Sequence, residues 1–159
     1  MAEYQFGADY WNNKWPKSNV IYGGRALRTK QPNIGIDVTE FVASHDAILS
    51  QIVQTYGLKK DTPNNTAWAV QKCVVSFLTY VEDAKSSSQD EYWQFPFEVV
   101  QYGQGDCEDG AILTANLLMN AGIEPWRVKI AAGYVQAAPT APQGGHAYCL
   151  FLADDLKEE

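Results

Sequence analysis

Residues 107–121, which run Cys-Glu-Asp-Gly-Ala-Ile-Leu-Thr-Ala-Asn-Leu-Leu-Met-Asn-Ala, constrain the fold of this 159-residue chain more than any other stretch. Ile112, Leu113, Leu117, Leu118 and Met119 surround most of the circumference of a helix drawn through them. A helix that is apolar nearly all round belongs in a core, so this one predicts a buried central element. Gly122 stops it and Pro125 lies just beyond. After that the period changes. Trp126 to Gln136 reads as a strand, Pro139 to Gly145 as a loop, and His146 to Ala153 as a second strand.

Upstream, the pattern predicts three more helices. One runs from about Ser44, an N-cap candidate, to Gly57, with Ile48, Ile52 and Val53 on one face. Another starts near Pro63 and carries Trp68, Val70, Cys73, Val74, Phe77, Leu78 and Val81. A short one spans Pro96 to Gln101 and ends in Gly103 and Gly105. The polar run from Asp83 to Asp90 reads as a surface loop. Residues 1–43 hold aromatics and turn formers without a sustained period, and read as an extended lead-in wrapped on a domain of residues 44–159. Helices first and strands last make an α+β domain.

Composition narrows the function classes. Apolar residues make up 46% of the chain and charged ones only 19%, so a packed core is expected rather than disorder. A formal net charge of −7 opposes binding to nucleic acid or to anionic membranes. Cys73, Cys107 and Cys149 form no C-x-x-C pair and no even disulfide framework. The first residues lack the basic and apolar regions of a signal peptide, and no run approaches the roughly 18 apolar residues of a membrane span. A soluble protein of a reducing compartment, cytoplasmic or virion-associated, is the expectation.

The stretch Gly103-Gln104-Gly105-Asp106-Cys107-Glu108-Asp109-Gly110 carries the chemistry. No Gly-Lys-Ser/Thr follows its glycines, so it is not a phosphate loop, and the dinucleotide spacing is missing too. It sets a cysteine in the first turn of the buried helix, where free backbone N–H groups and the helix dipole favour a thiolate. The Cys107 N–H could also help bind the oxyanion of a tetrahedral intermediate. Two observations compete with that reading. Asp106 and Asp109, three apart, also look like an N-cap and its capping-box partner. Three acidic side chains beside a thiol raise its pKa. His146, after Gly144-Gly145 and leading into an apolar strand, can supply the imidazole a thiol nucleophile requires, within about 3 Å; the alternative is a structural histidine. Cys73 and Cys149 read as core, and His45 as solvated.

Taken in order, Trp93-Gln94-Phe95-Pro96-Phe97-Glu98, the Gly103 to Ala111 run, Gly122-Ile123, Gly133 and Gly144-Gly145-His146-Ala147-Tyr148 resemble the transglutaminase-like superfamily. Within it, Gly-Asp-Cys-Glu-Asp preceded by Trp-x-x-Pro-x-Glu is similar to the bacterial transglutaminase-like cysteine proteinases, and to uncharacterised members from phage and bacterial genomes. The match spans roughly residues 65–153. It implies a papain-like fold, in which the nucleophile opens a central helix packed on an antiparallel sheet. By position, Cys107 is the nucleophile and His146 the base. Asp106, Glu108 and Asp109 map to the acidic residues that bind calcium in the bacterial proteinases, and a divalent ion there would answer the charge objection.

The pattern departs from the family in one respect: the acid that orients the imidazole lies on the strand after the histidine. Only Asp154 and Asp155 follow here. Eight strand residues extend about 26 Å at ~3.3 Å each, which puts Asp154 at the far end from His146. The expectation is a chain lacking its last strand or strands, or a third member supplied otherwise. Gln101 is the candidate oxyanion donor, with Gln104 and Trp93 as alternatives. The expected reaction is attack of Cys107 on a protein or peptide amide, giving an acyl-thioester. Water would resolve it in a peptidase or amidase, and a lysine amine in a crosslinking transglutaminase. A non-catalytic structural or interaction protein keeping the fold is the rival, and no cofactor other than calcium is expected.

Overall fold

The computed structural model of the chain describes residues 7–17, 22–25, 34–86 and 91–154. Six helices, six short strands and two 3-10 turns follow one another among these residues, in an α+β arrangement. The segment read as an extended lead-in contains regular structure. Helix α1 spans Ala8–Lys14, and strands β1 (Tyr22–Arg25) and β2 (Ile34–Asp37) pair as an antiparallel hairpin. Neither was legible, because each is too short to show a period.

The cap of helix α2 (Ala47–Thr55) lies two residues later than predicted. Asp46, not Ser44, accepts the Leu49 N–H at 2.9 Å. Helix α3 runs Pro63–Phe77 behind Thr62, whose hydroxyl accepts the Asn65 N–H. Its Val70 and Val74 face inward, while Trp68 stands 59% exposed. Strand β3 (Thr79–Tyr80) then pairs in parallel with β4 (Gln104–Gly105). The predicted surface loop needs correction at its start: Asp83 opens a single helical turn, α4 (Asp83–Ser86), and is buried. Residues 87–90 of that loop lie outside the described residues, as do Asp155 and the rest of the charged tail.

Helix α5 (Pro96–Tyr102) ends on Gly103 at φ +66°, a conformation that favours glycine. The central helix α6 (Cys107–Asn120) is buried along nearly its whole length, as its composition demands. Its Leu113, Leu117 and Leu118 join Leu49, Val70, Val74 and Val99 in the main core. On another side, Ile112 meets Phe41 and Trp93 in a smaller cluster. Asn116, fully buried, anchors the chain before α2: it donates to the Phe41 carbonyl and accepts from the Ala43 N–H. Residues 125–127 form a 3-10 turn, so strand β5 starts at Val128 rather than Trp126 and runs to Gln136. Strand β6 (Gln143–Phe151) pairs with it antiparallel, Val128 opposite Phe151 and Gly133 opposite His146.

Side chains alternate along β6. Ala147 is buried, and Cys149 and Phe151 pack against the core that contains α6. The base of the hairpin is locked by Arg127. Fully buried, it donates to the Leu152 carbonyl through Nε (3.0 Å) and Nη2 (2.5 Å), and pairs with Asp154 at 2.8 Å. Asp154 is thus committed to the end of β6 farthest from His146.

Candidate active site

Cys107 opens α6 because three contacts hold the preceding turn in place. Val81 and Thr79 donate backbone N–H bonds to the Gly105 and Gly103 carbonyls, both at 2.9 Å. Asp109, with no exposed surface, then gathers the Trp93–Gln94 segment onto the same turn. It accepts the Gln94 backbone N–H at 2.8 Å and the Gln94 side-chain amide at 2.6 Å. It also accepts the Asp106 N–H at 3.3 Å, the reach-back half of the capping box read from the sequence. Gly105 is a close-approach position. A Cβ there would lie 2.6 Å from Asp109 Oδ2 and 2.7 Å from its Cβ.

The Cys107 thiol donates to Glu108 Oε2 at 3.1 Å. Burial first, then Glu108, pushes this thiol up to about 11, while the Ala147 backbone N–H, turned toward the sulfur, draws it down. At neutral pH the thiol is therefore protonated in this arrangement. The charge objection raised by the sequence stands in the geometry. Asp106, Glu108 and Asp109 do not point away, and Asp83, unsuspected from the sequence, joins them.

Ligand-capable atoms of Asp83, Asp106 and Asp109 lie within 4.8 Å of one another, as do those of Asp83, Glu91 and Glu108, and those of Asp106, Cys107 and Glu108. Burial is the main cause that lifts these carboxyls: Asp106 to about 8, Asp83 to about 7 and Asp109 to about 6. Glu108 is raised as well, again by burial first. Such a crowd keeps protons at pH values where isolated carboxyls have lost them.

His146 is exposed. Its ring lies beside Tyr148, centroids 6.1 Å apart, on the face of β6 that alternates with Ala147. The structure thus brings the His146–Ala147 backbone to the sulfur while the ring lies along the outer face of the strand. Gln101 sits on an exposed part of α5. Gln94 and Gln104 are closer to the α6 turn, but the Gln94 amide is buried and engaged with Asp109 and with the Gln104 carbonyl at 3.1 Å. Cys73 and Cys149 are partly buried against the core, and the three thiols are free of disulfides.

Sequence reasoning missed Asp83, Glu91 and the bracing role of Gln94. Asp83 opens a run of small polar residues, and no local signal marks its burial. Gln94 could have been suspected, because it lies inside the Trp93–Glu98 motif. Tyr80, 65% exposed on β3, also escaped notice; its hydroxyl is raised by burial first and then by the charges of Cys107 and Asp106.

The described residues form an α+β domain whose central helix carries a partly buried thiol in its first turn and is met there by a glycine-rich hairpin. A family model described as a transglutaminase-like domain matches residues 48–147, from α2 to the residue after His146. The chain belongs to that family. A search of curated proteins gave no match.

Proposed function

We propose that the chain is a thiol-dependent acyl-transfer enzyme, with Cys107 as nucleophile and His146 as its base, on a papain-like core of the kind found in bacterial transglutaminase-like cysteine proteinases. The observation that carries the reading is the approach of the Ala147 amide to the Cys107 sulfur, which sets the His146–Ala147 backbone beside the thiol. For catalysis the His146 ring must swing from beside Tyr148 to the strand edge. The surroundings favour that movement: a Cβ at Gly133, Gly144 or Gly145 would meet nothing within 4 Å.

His146 then takes the thiol proton and Cys107 attacks an amide carbonyl of a protein or peptide. The amine leaves with a proton from the imidazolium, and water resolves the acyl-thioester. Hydrolysis, as in a peptidase or amidase, fits the proteinase-like motif; a lysine amine in place of water would make the same site a crosslinking transglutaminase. The Cys107 N–H, at the start of α6, is the natural oxyanion donor, with Gln101 as the side-chain candidate. A reducing compartment, cytoplasmic or within a virion, would keep Cys107 available.

Calcium fits the carboxylates beside Cys107. All their donors are hard oxygens, and Asp106 Oδ1 is buried without a hydrogen-bond partner. Asp106, Glu108 and Asp83 would hold the ion, with Asp109 less available because both its oxygens already accept hydrogen bonds. When bound, calcium would neutralise the negative charge that now holds the thiol proton.

A second reading, a non-catalytic member of the family, draws on two observations: the outward His146 ring and the raised thiol. Alkylation separates them. Near pH 7.5, with and without millimolar Ca²⁺, iodoacetamide should label Cys107 ahead of Cys73 and Cys149, and His146→Ala should slow that labelling at least about tenfold. Equal and sluggish labelling of all three thiols, indifferent to His146→Ala, would favour the non-catalytic protein. Calorimetry showing no Ca²⁺ heat up to millimolar concentration would remove the metal from the scheme.

A further inference from the structure

Strand β1 lies outside the matched span of residues 48–147, yet it is built into the segment that braces α6. It packs hard on Trp93: a Cβ at Gly23 would lie 2.8 Å from the indole ring. The Trp93 N–H donates to the Gly24 carbonyl at 2.9 Å, and the Trp93 carbonyl accepts from Arg25 Nη1 at 3.1 Å. Arg25 also forms a bidentate pair with Glu98, both contacts at 2.6 Å. Each of these side chains is only 13% exposed, so solvent screens the pair little. The guanidinium lies over the Tyr92 and Phe95 rings, 4.7 and 4.8 Å from their centroids. One cation thus touches Tyr92, Trp93, Phe95 and Glu98.

The Trp93 carbonyl and the Gln94 N–H belong to one peptide unit, which is planar and stiff. Arg25 holds its oxygen, and Asp109 accepts its N–H at 2.8 Å. An amide gripped by a cation at one end and a carboxylate at the other is polarised by both, and each hydrogen bond strengthens the other. Asp109 is also the acceptor of the Asp106 N–H beside Cys107. Glu98 is the main cause that holds the Arg25 guanidinium above its ordinary value, against its burial, and Asp109 adds a smaller push in the same direction.

We propose that Arg25 is a positioning residue for Cys107: through the Trp93–Gln94 peptide it fixes Asp109, and Asp109 fixes the turn that opens α6. The purpose of this relay rests on the thiol reading above, whereas the relay itself consists of hydrogen bonds and is measurable without any reaction.

An arginine that merely tied β1 to α5 would need Glu98 alone. Here Nη1 is shared between Glu98 and the Trp93 carbonyl. Gln94 then commits its backbone N–H and its side-chain amide to Asp109, so a shift at Trp93 is passed directly to α6. Lysine would keep the charge but not the fork that reaches carboxylate and carbonyl together.

The test is amide hydrogen exchange of the full chain, read residue by residue by NMR, on the parent, Arg25→Met and Arg25→Lys. In Arg25→Met the Gln94 and Asp106 amides should exchange at least about tenfold faster, the size of one lost charge-assisted hydrogen bond, while Val70 in the core keeps the parent rate. Arg25→Lys should fall between the two, and carries the test alone if Arg25→Met does not fold. The purpose is read separately. Near pH 7.5 iodoacetamide should label Cys107 severalfold more slowly in the variants, with Cys73 and Cys149 unchanged.

Parent-like exchange at Gln94 and Asp106, with only β1 accelerated, would overturn the relay and leave Arg25 a tie for the hairpin. A uniform acceleration that includes Val70 would overturn it as well, as a loss of global stability. Faster exchange with an unchanged Cys107 rate would overturn the positioning role. If iodoacetamide does not single out Cys107 even in the parent, the thiol reading falls and takes the relay's purpose with it, while exchange at Gln94 and Asp106 still decides the relay.

Discussion

The two halves of the proposed dyad sit in opposite surroundings. On the sulfur side, Asp109 has no exposed surface and accepts hydrogen bonds from Gln94 and Asp106, while Gly105 is pressed against it. On the imidazole side, His146 is exposed, Tyr134 stands 81% exposed nearby on β5, and the glycines have empty space around them. The hairpin is locked at its base by Arg127 and packs on the core through Val128, Ile130, Cys149 and Phe151, while its tip stands open. A nucleophile needs a fixed position and a tuned proton, which burial and hydrogen bonds supply. A base that must also admit a substrate can be carried on a part with little packing to lose.

The contrast can be broken by substitution, beginning with the largest effect. Asp109→Ala leaves the buried Gln94 backbone N–H without an acceptor, removes one of the two acceptors of its side-chain amide, and should cost about 2–4 kcal/mol in chemical denaturation. The same assay on His146→Ala should move stability by less than ~0.5 kcal/mol, as for an exposed side chain. A large loss in the histidine variant would show the tip to be structural after all.

Next comes steric pressure. Gly105→Ala forces a methyl group against Asp109 and should destabilise by about 1–3 kcal/mol, whereas Gly144→Ala at the open tip should change the thermal midpoint by no more than a degree or two. Comparable losses at the two glycines would erase the distinction.

The smallest effect sharpens the electrostatic side. Asp83, Asp106 and Asp109 are raised by burial to about 7, 8 and 6, against ~3.9 in an unfolded chain. Between those limits the folded state binds more protons than the unfolded one, so stability is fullest below about pH 4 for these groups and is lost as pH rises through 6 to 8. Thermal melts should therefore show a midpoint a few degrees lower at pH 8 than at pH 5.5. Millimolar Ca²⁺ should flatten that slope if the ion takes the place of the protons. A midpoint rising with pH in that range would contradict the buried, proton-holding cluster.

Much of the fold was legible because it is written in local patterns. The apolar run of α6, the proline openings of α3 and α5, and the change of period at β5 each place an element within two or three residues of where it lies. Short elements escaped: α1, the β1–β2 hairpin and the parallel β3–β4 pair have too few residues for a period to emerge. The Asp46 cap was misplaced for a similar reason, since Ser44 and Asp46 are both good caps and only the chain direction before α2 selects between them. At the site, Cys107 and the reach-back of Asp109 follow from three-residue spacing. The Asp83 and Glu91 contributions do not, because nothing local marks Asp83 as folded under or brings the exposed Glu91 beside a distant helix.

By itself the sequence determined which helix is buried, that a thiol stands in its first turn, and that a histidine after two glycines lies on an apolar strand, which starts at Gln143 rather than at the predicted His146. Tertiary structure alone decided which acids gather round that thiol, which edge of β6 meets it, and on which face the imidazole lies. The reason is physical: periodicity encodes the faces of single elements through side-chain burial, whereas contacts between distant segments depend on packing angles and strand parity, and those are set only when the core closes.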